Sequence, residues 1–109
     1  MGRGAGIAQG DEAKRVMMRI HGKVDANHAE IVAALRGIGA HVQSIANIGD
    51  GCPDLLVSFR GKWFVFEVKS PGGKLTPDEA RWHNEARASV FVVFGAGEAI
   101  KILEKETAR

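Results

Sequence analysis

Asp54, Glu67 and Lys69 interrupt two apolar runs, residues 54–59 and 63–69, in which charged side chains are out of place unless they act together. Arg60-Gly61-Lys62 separates the runs, and both are rich in β-formers, so the pair reads as a β-hairpin with Gly61 supplying a positive φ. With Gly61-Lys62 as a two-residue II′-type loop, Arg60 pairs with Trp63, Asp54 lies opposite Lys69 and Leu56 opposite Glu67. All three charged residues then share one face at the end of the hairpin remote from its turn. Glu67 and Lys69 share a face in any register because strand side chains alternate with period two, whereas a one-residue slip would carry Asp54 to the other side.

Two carboxylates held within a few Å repel and are costly to keep ionised away from water unless a divalent cation neutralises them. Carboxylate oxygens, a backbone carbonyl and waters suit Mg²⁺ or Mn²⁺, which lowers the pKa of a bound water and stabilises charge on a phosphoryl oxygen. Lys69 beside such an ion could orient the water, accept its proton or stabilise the transition state electrostatically. The implied reaction is phosphodiester hydrolysis. A Glu-x-Lys triplet alone is commonly a solvated strand face, and Asp54 at hairpin spacing is what adds weight to the catalytic reading.

Other bases could serve a phosphate backbone. Lys74, Arg81 and His83 lie in or after the loop that follows Lys69, and Lys62 and Arg60 sit at the hairpin turn. Surface bases are common, and a solvated surface is the commoner role for such residues. His28 and His41 have no metal-ligand spacing, Cys52 reads as a small turn residue, and Trp63 and Trp82 read as core or dimer contacts rather than base-stacking platforms. Gly4-Ala5-Gly6 is neither preceded by a strand nor followed by Gly-Lys-Ser/Thr, so no nucleotide-binding loop is expected.

The elements that must position these residues follow from pattern. A helix is expected over residues 28–36, capped by Asn27, with Ile31, Val32, Leu35 and Ile38 as its apolar stripe and Gly37 and Gly39 ending it. Residues 41–46 read as a strand. Gly49-Asp50-Gly51-Cys52-Pro53 is a dense turn signal that leads into the hairpin. Thr76-Pro77-Asp78-Glu79 then offers a cap, Pro at the first helical position and Glu three residues after the cap, opening a helix that reaches about Arg87. Residues 90–94 read as another strand and residues 98–105 as a last helix with Ile102 and Leu103 inward. The order is helix, three strands, helix, strand, helix, an α/β arrangement with a mixed sheet flanked by helices. Residues 16–20 fit either a short strand or a helix that begins near Asp11. Residues 1–10, with four Gly and two Ala, are expected to be mobile.

Length and composition bound the rest. A chain of 109 residues makes one domain, and 45% apolar content fills its core without staples. Residues 24–109 form that domain, and residues 1–23 a basic, partly flexible arm. One cysteine excludes an intrachain disulfide framework and a zinc finger, which fits a reducing, cytoplasmic setting. The longest apolar run, residues 90–94, is far below the ~18 residues of a membrane span, and no signal-peptide pattern opens the sequence, so neither membrane insertion nor export is expected. Five basic residues stand against two acidic ones over residues 1–24, but ten against eleven over residues 25–109. An arm of this kind can contact phosphates, although a solvated tail is its commoner role.

Gly51-Cys52-Pro53-Asp54 followed thirteen positions on by Glu67-Val68-Lys69 resembles the motif of the PD-(D/E)XK nuclease superfamily. With Asn27 to Glu30 and Leu75 to His83 around it, the chain is similar to small stand-alone VRR-NUC nucleases of phages and bacteria over about residues 24–103. The resemblance implies a restriction-endonuclease-like core in which Asp54, Glu67 and the Val68 carbonyl hold Mg²⁺ or Mn²⁺, Lys69 is the motif lysine and Glu30 on the first helix supports the metal site. Glu30 also stands three residues after Asn27, where it could complete a capping box instead. Glu79 departs from the family, which usually has Gln there, and no Val-Arg-Arg motif is found. Small members resemble Holliday junction resolvases and act as homodimers on branched DNA, which implies a structure-selective endonuclease that leaves a 5′-phosphate, located in a bacterial cell or a phage-infected host. A catalytically silent module that binds DNA architecture, and a nonspecific or RNA-directed nuclease, are the alternatives.

Overall fold

The computed structural model describes residues 22–108, with side chains from Ala26 onward. The basic arm and the strand-or-helix segment at residues 16–20 therefore fall almost wholly outside the described residues. Three helices and four strands follow: α1 (Gly22–Gly37), β1 (His41–Ser44), a 3₁₀ turn (Ala46–Ile48), β2 (Leu55–Phe59), β3 (Lys62–Val68), α2 (Pro77–Ala86), β4 (Phe91–Val93) and α3 (Ala96–Glu106). This is the order expected from pattern. The sheet runs β1-β2-β3-β4, with antiparallel pairs except for β3 and β4, which are parallel and joined through α2.

One face of the sheet builds the core. Leu55, Val57 and Phe59 of β2, Phe64, Phe66 and Val68 of β3, and Val93 of β4 are buried against Ile31 and Leu35 of α1 and Ala99 and Leu103 of α3. The rings of Phe64, Phe66 and Phe91 lie 6.0 to 6.3 Å apart, and Phe66 meets Phe91 edge to face. Because side chains alternate along a strand, Glu67 projects from the face opposite Phe66 and Val68, towards α2.

Two local expectations need correction. The first helix begins at Gly22 rather than His28, so Asn27 is an interior helical residue and not a cap. Its side-chain amide instead donates to the carbonyls of Lys69 at 3.1 Å and Phe94 at 3.3 Å, tying α1 to the ends of β3 and β4. The capping-box role for Glu30 falls with it, and α1 starts two residues before residue 24. The hairpin loop is Arg60-Gly61, not Gly61-Lys62: both residues have positive φ, 49° and 81°, as a type I′ turn requires. The Arg60 guanidinium rests over the Phe59 ring at 4.7 Å, which anchors this left-handed residue. Phe59 then pairs with Lys62 and Leu55 with Phe66, a register two residues from the expected one. A slip of two preserves facing, so the same side chains point inward.

Trp63 is not a core residue, since it is 67% exposed. The helix start at Thr76 is as expected: the Thr76 side chain accepts from the Glu79 N–H and the Glu79 carboxylate accepts from the Thr76 N–H, with Pro77 following the cap.

Candidate active site

Asp54 lies in the bend that enters β2, where its N–H donates to the Phe66 carbonyl at 3.0 Å and its Oδ2 accepts from the Val68 N–H at 2.7 Å. These bonds hold its carboxylate across from Glu67 rather than across from Lys69. Pro53, fully buried, fixes the approach, and Gly51 lets it pass close to α2: a Cβ there would stand 2.3 Å from the Asp78 carbonyl oxygen. Gly51 also has φ +82, so both its conformation and its lack of a side chain are needed. The motif turn and the first residues of α2 are thereby in direct contact.

Glu67 is only 1% exposed. Burial, the hydrogen bond and negative charge of Asp54, and the charge of Glu79 push its carboxyl up to about 9, against the opposing pull of Lys69. A buried carboxyl in that condition keeps its proton at neutral pH unless a positive charge joins it. The Cys52 thiol is raised too, first by burial and then by the charges of Glu67 and Asp54, which places it beside the same pair.

Lys69 continues the strand pairing, its N–H donating to the Val93 carbonyl at 3.0 Å. Its ammonium donates to Glu79 Oε1 at 2.6 Å, the oxygen that also closes the capping box of α2. Burial works to raise the Glu79 carboxyl, but its bonds from Lys69 and Thr76 prevail and hold it below the usual carboxylate range. One turn further along α2, His83 Nε2 lies 3.2 Å from Glu67 Oε1.

The structure thus brings Asp54, Glu67, Lys69 and His83 together, and it adds Glu79. Glu30 lines a groove of about 500 Å³ with Ala26, Asn27, Ser70 and Pro71, between α1 and the chain that follows Lys69. Lys74 is exposed in the loop before α2, and Arg81 is exposed and paired with Asp78 at 3.0 Å. Lys62 is not brought to the site. It lies at the other end of β3, roughly 17 Å from Glu67 along the strand, with its ammonium donating to the Glu106 carbonyl at the end of α3. Sequence reasoning missed the contacts of Glu79 and His83 with the motif. The available signal was their four-residue spacing on a helix that directly follows the strand carrying Glu67 and Lys69.

The donor set suits a small hard cation. Among the described residues no three His, Cys, Asp or Glu side chains form a ligand cluster. Two carboxylates, a backbone carbonyl and waters would make the shell, a composition that Mg²⁺ and Mn²⁺ accept and Zn²⁺ does not favour. No described helix is long and apolar enough to cross a membrane. Compared with known proteins, the chain matches no family model, no curated protein and no solved structure.

Proposed function

We propose that this chain is a metal-dependent DNA endonuclease on a restriction-endonuclease-like core, selective for branched DNA such as four-way junctions and acting as a homodimer. The observation that carries the reading is the buried Glu67 carboxyl set against Asp54, with Lys69 next but one on the same strand face. Mg²⁺ or Mn²⁺ held by Asp54, Glu67 and the Val68 carbonyl would supply an activated water and stabilise charge on the phosphoryl oxygen. Asp54 is pre-positioned for this by the Val68 N–H, which fixes one carboxylate oxygen. Lys69 donates one ammonium N–H to the Glu79 carboxylate and keeps two others for a phosphate oxygen or for the water. Attack of water on phosphorus with departure of the 3′ oxygen leaves a 5′-phosphate and a 3′-hydroxyl. Two copies related by a two-fold axis would present one site to each of two strands, the symmetry that paired cuts across a junction need.

Cleavage of a labelled four-way junction and its matched linear duplex, in Mg²⁺, Mn²⁺, Ca²⁺ or EDTA, tests the reading beside Glu67→Gln. Paired symmetric nicks on the junction alone, dependent on Mg²⁺ or Mn²⁺ and absent from the variant, support it. Indiscriminate cutting retains the chemistry and discards junction selectivity, and a junction that is bound but uncut under every metal replaces the enzyme with a binding module.

A further inference from the structure

α2 carries no fully buried side chain. Two polar contacts tie it to the motif strand: Glu79 to Lys69 at 2.6 Å and His83 to Glu67 at 3.2 Å. Their spacings match. Four residues along a helix advance about 6 Å, and two residues along a strand advance about 6.6 Å, so Glu79 and His83 meet Lys69 and Glu67 in antiparallel order. All four side chains are largely shielded from solvent, with 16% and 18% exposure for Lys69 and Glu79 and 15% and 2% for His83 and Glu67.

We infer that His83 is a positioning residue that orients Glu67 as a metal ligand, a role that rests on the nuclease reading above. Glu67 enters a buried site from a strand whose backbone is fixed, and its free torsions are those of the side chain. One carboxylate oxygen bound by His83 leaves the other to turn towards Asp54. With a cation present Glu67 is a carboxylate and accepts only, so Nε2 carries the proton in that bond. Outer hydrogen bonds of this kind aim a ligand without touching the metal, and losing one typically weakens metal affinity about 10- to 100-fold. A surface base meant for a phosphate backbone would instead turn outward, as Arg81 does on the same helix.

Two amides discriminate between the roles. The Nε2 of Gln reaches the place of the imidazole Nε2, whereas the amide of Asn stops near the position of Nδ1. Mn²⁺ binding, followed by the electron paramagnetic resonance signal of the free ion, is compared in the wild type, His83→Asn, His83→Gln and Glu67→Gln. The expected result is a loss of about 10- to 100-fold in affinity for Asn, with Gln close to wild type. Unfolding midpoints in EDTA verify the fold, and His83→Ala, which offers no donor, stands in for the Asn variant should that one not fold. Unchanged affinity in the Asn variant, or an equal loss in both amides, overturns the role of His83 while leaving the metal site intact. No Mn²⁺ binding by the wild type, or wild-type affinity in Glu67→Gln, overturns the metal-site reading and this inference with it.

Discussion

The two faces of the central sheet are built by different forces from the same strands. On the α1 and α3 side every buried residue of β2 and β3 is apolar, and Phe66, Leu55 and Val57 lose all contact with solvent. On the α2 side the same β3 presents Glu67 at its buried end and Trp63, 67% exposed, at the other, and the helix above it is held by a hydrogen bond and an ion pair. Strand alternation puts Phe66 and Glu67 back to back, one residue apart in sequence and one sheet thickness apart in role. A carboxyl can be kept in a water-excluded place only because the opposite face supplies enough apolar burial to hold the strand there.

Substituting these two neighbours separates the faces most sharply. On the proposed function, Glu67→Gln is expected to reduce junction cleavage by about three orders of magnitude or more, since it would remove a ligand of an ion that contributes several kcal/mol to the transition state, and to leave a folded protein. Phe66→Ala is expected to lower the unfolding free energy by about 3–5 kcal/mol, with activity falling only as the folded fraction falls. Denaturant unfolding paired with single-turnover cleavage checks both. A Glu67→Gln protein that unfolds as readily as Phe66→Ala would make Glu67 a structural residue and remove the distinction between the faces.

Gly51→Ala tests the seam between the faces next. A methyl group 2.3 Å from the Asp78 carbonyl, on a residue with φ +82, must push the motif turn away from α2. A destabilisation of about 1–3 kcal/mol is expected, together with weaker Mn²⁺ binding, because Asp54 follows the turn and Glu79 and His83 follow the helix. Loss of stability with unchanged metal affinity would show that turn and site are independent.

The pH dependence of the metal-free protein sets the polar face apart from the apolar one. The Glu67 carboxyl rises from 4.5 to about 9 on folding, through burial first and then Asp54 and Glu79. The folded chain therefore binds a proton that the unfolded chain releases between these values. Its contribution to stability is complete below pH 4.5 and is lost as the pH climbs towards 9. In EDTA the wild type should lose at least about 1 kcal/mol more than Glu67→Gln across this window, and saturating Mg²⁺ should remove much of the difference. Parallel wild-type and variant curves would show that Glu67 does not titrate in this way.

How much of this was legible in the sequence depends on the range of the interaction that decides it. The capping box at Thr76 and Glu79 is local, and it was read correctly. The shared face of Asp54, Glu67 and Lys69 survived an error in register because registers two residues apart have the same inward set, so hydrophobic alternation cannot separate them. Turn chemistry decides instead, and Arg60 takes the left-handed position that Gly61 alone was expected to need. The start of α1 was misplaced because Asn27 resembles a cap until its partners, 42 and 67 residues away, are known. The contact of His83 with Glu67 is hidden for the same reason, since nothing within α2 shows which strand lies beneath it.

The smallest expected effect concerns the bases, and it contrasts the two ends of β3. Each phosphate contact adds about one counterion to those released on binding, so removing one reduces the salt slope of DNA affinity by about 1. Lys74 is exposed at the Lys69 end of the sheet and has no partner among the described residues, whereas Lys62 at the far end already donates to the Glu106 carbonyl at 2.7 Å. Lys74→Ala should therefore flatten the slope for binding of a four-way junction by about 1, measured in Ca²⁺ to support binding without turnover. Lys62→Ala should leave the slope unchanged and alter stability by no more than about 0.5 kcal/mol, as an exposed contact does. The reverse result would lay the DNA over the hairpin turn and place the scissile phosphate roughly 17 Å from its contacts, which a cleavage site at Glu67 could accommodate only if the duplex spans the whole length of the strand.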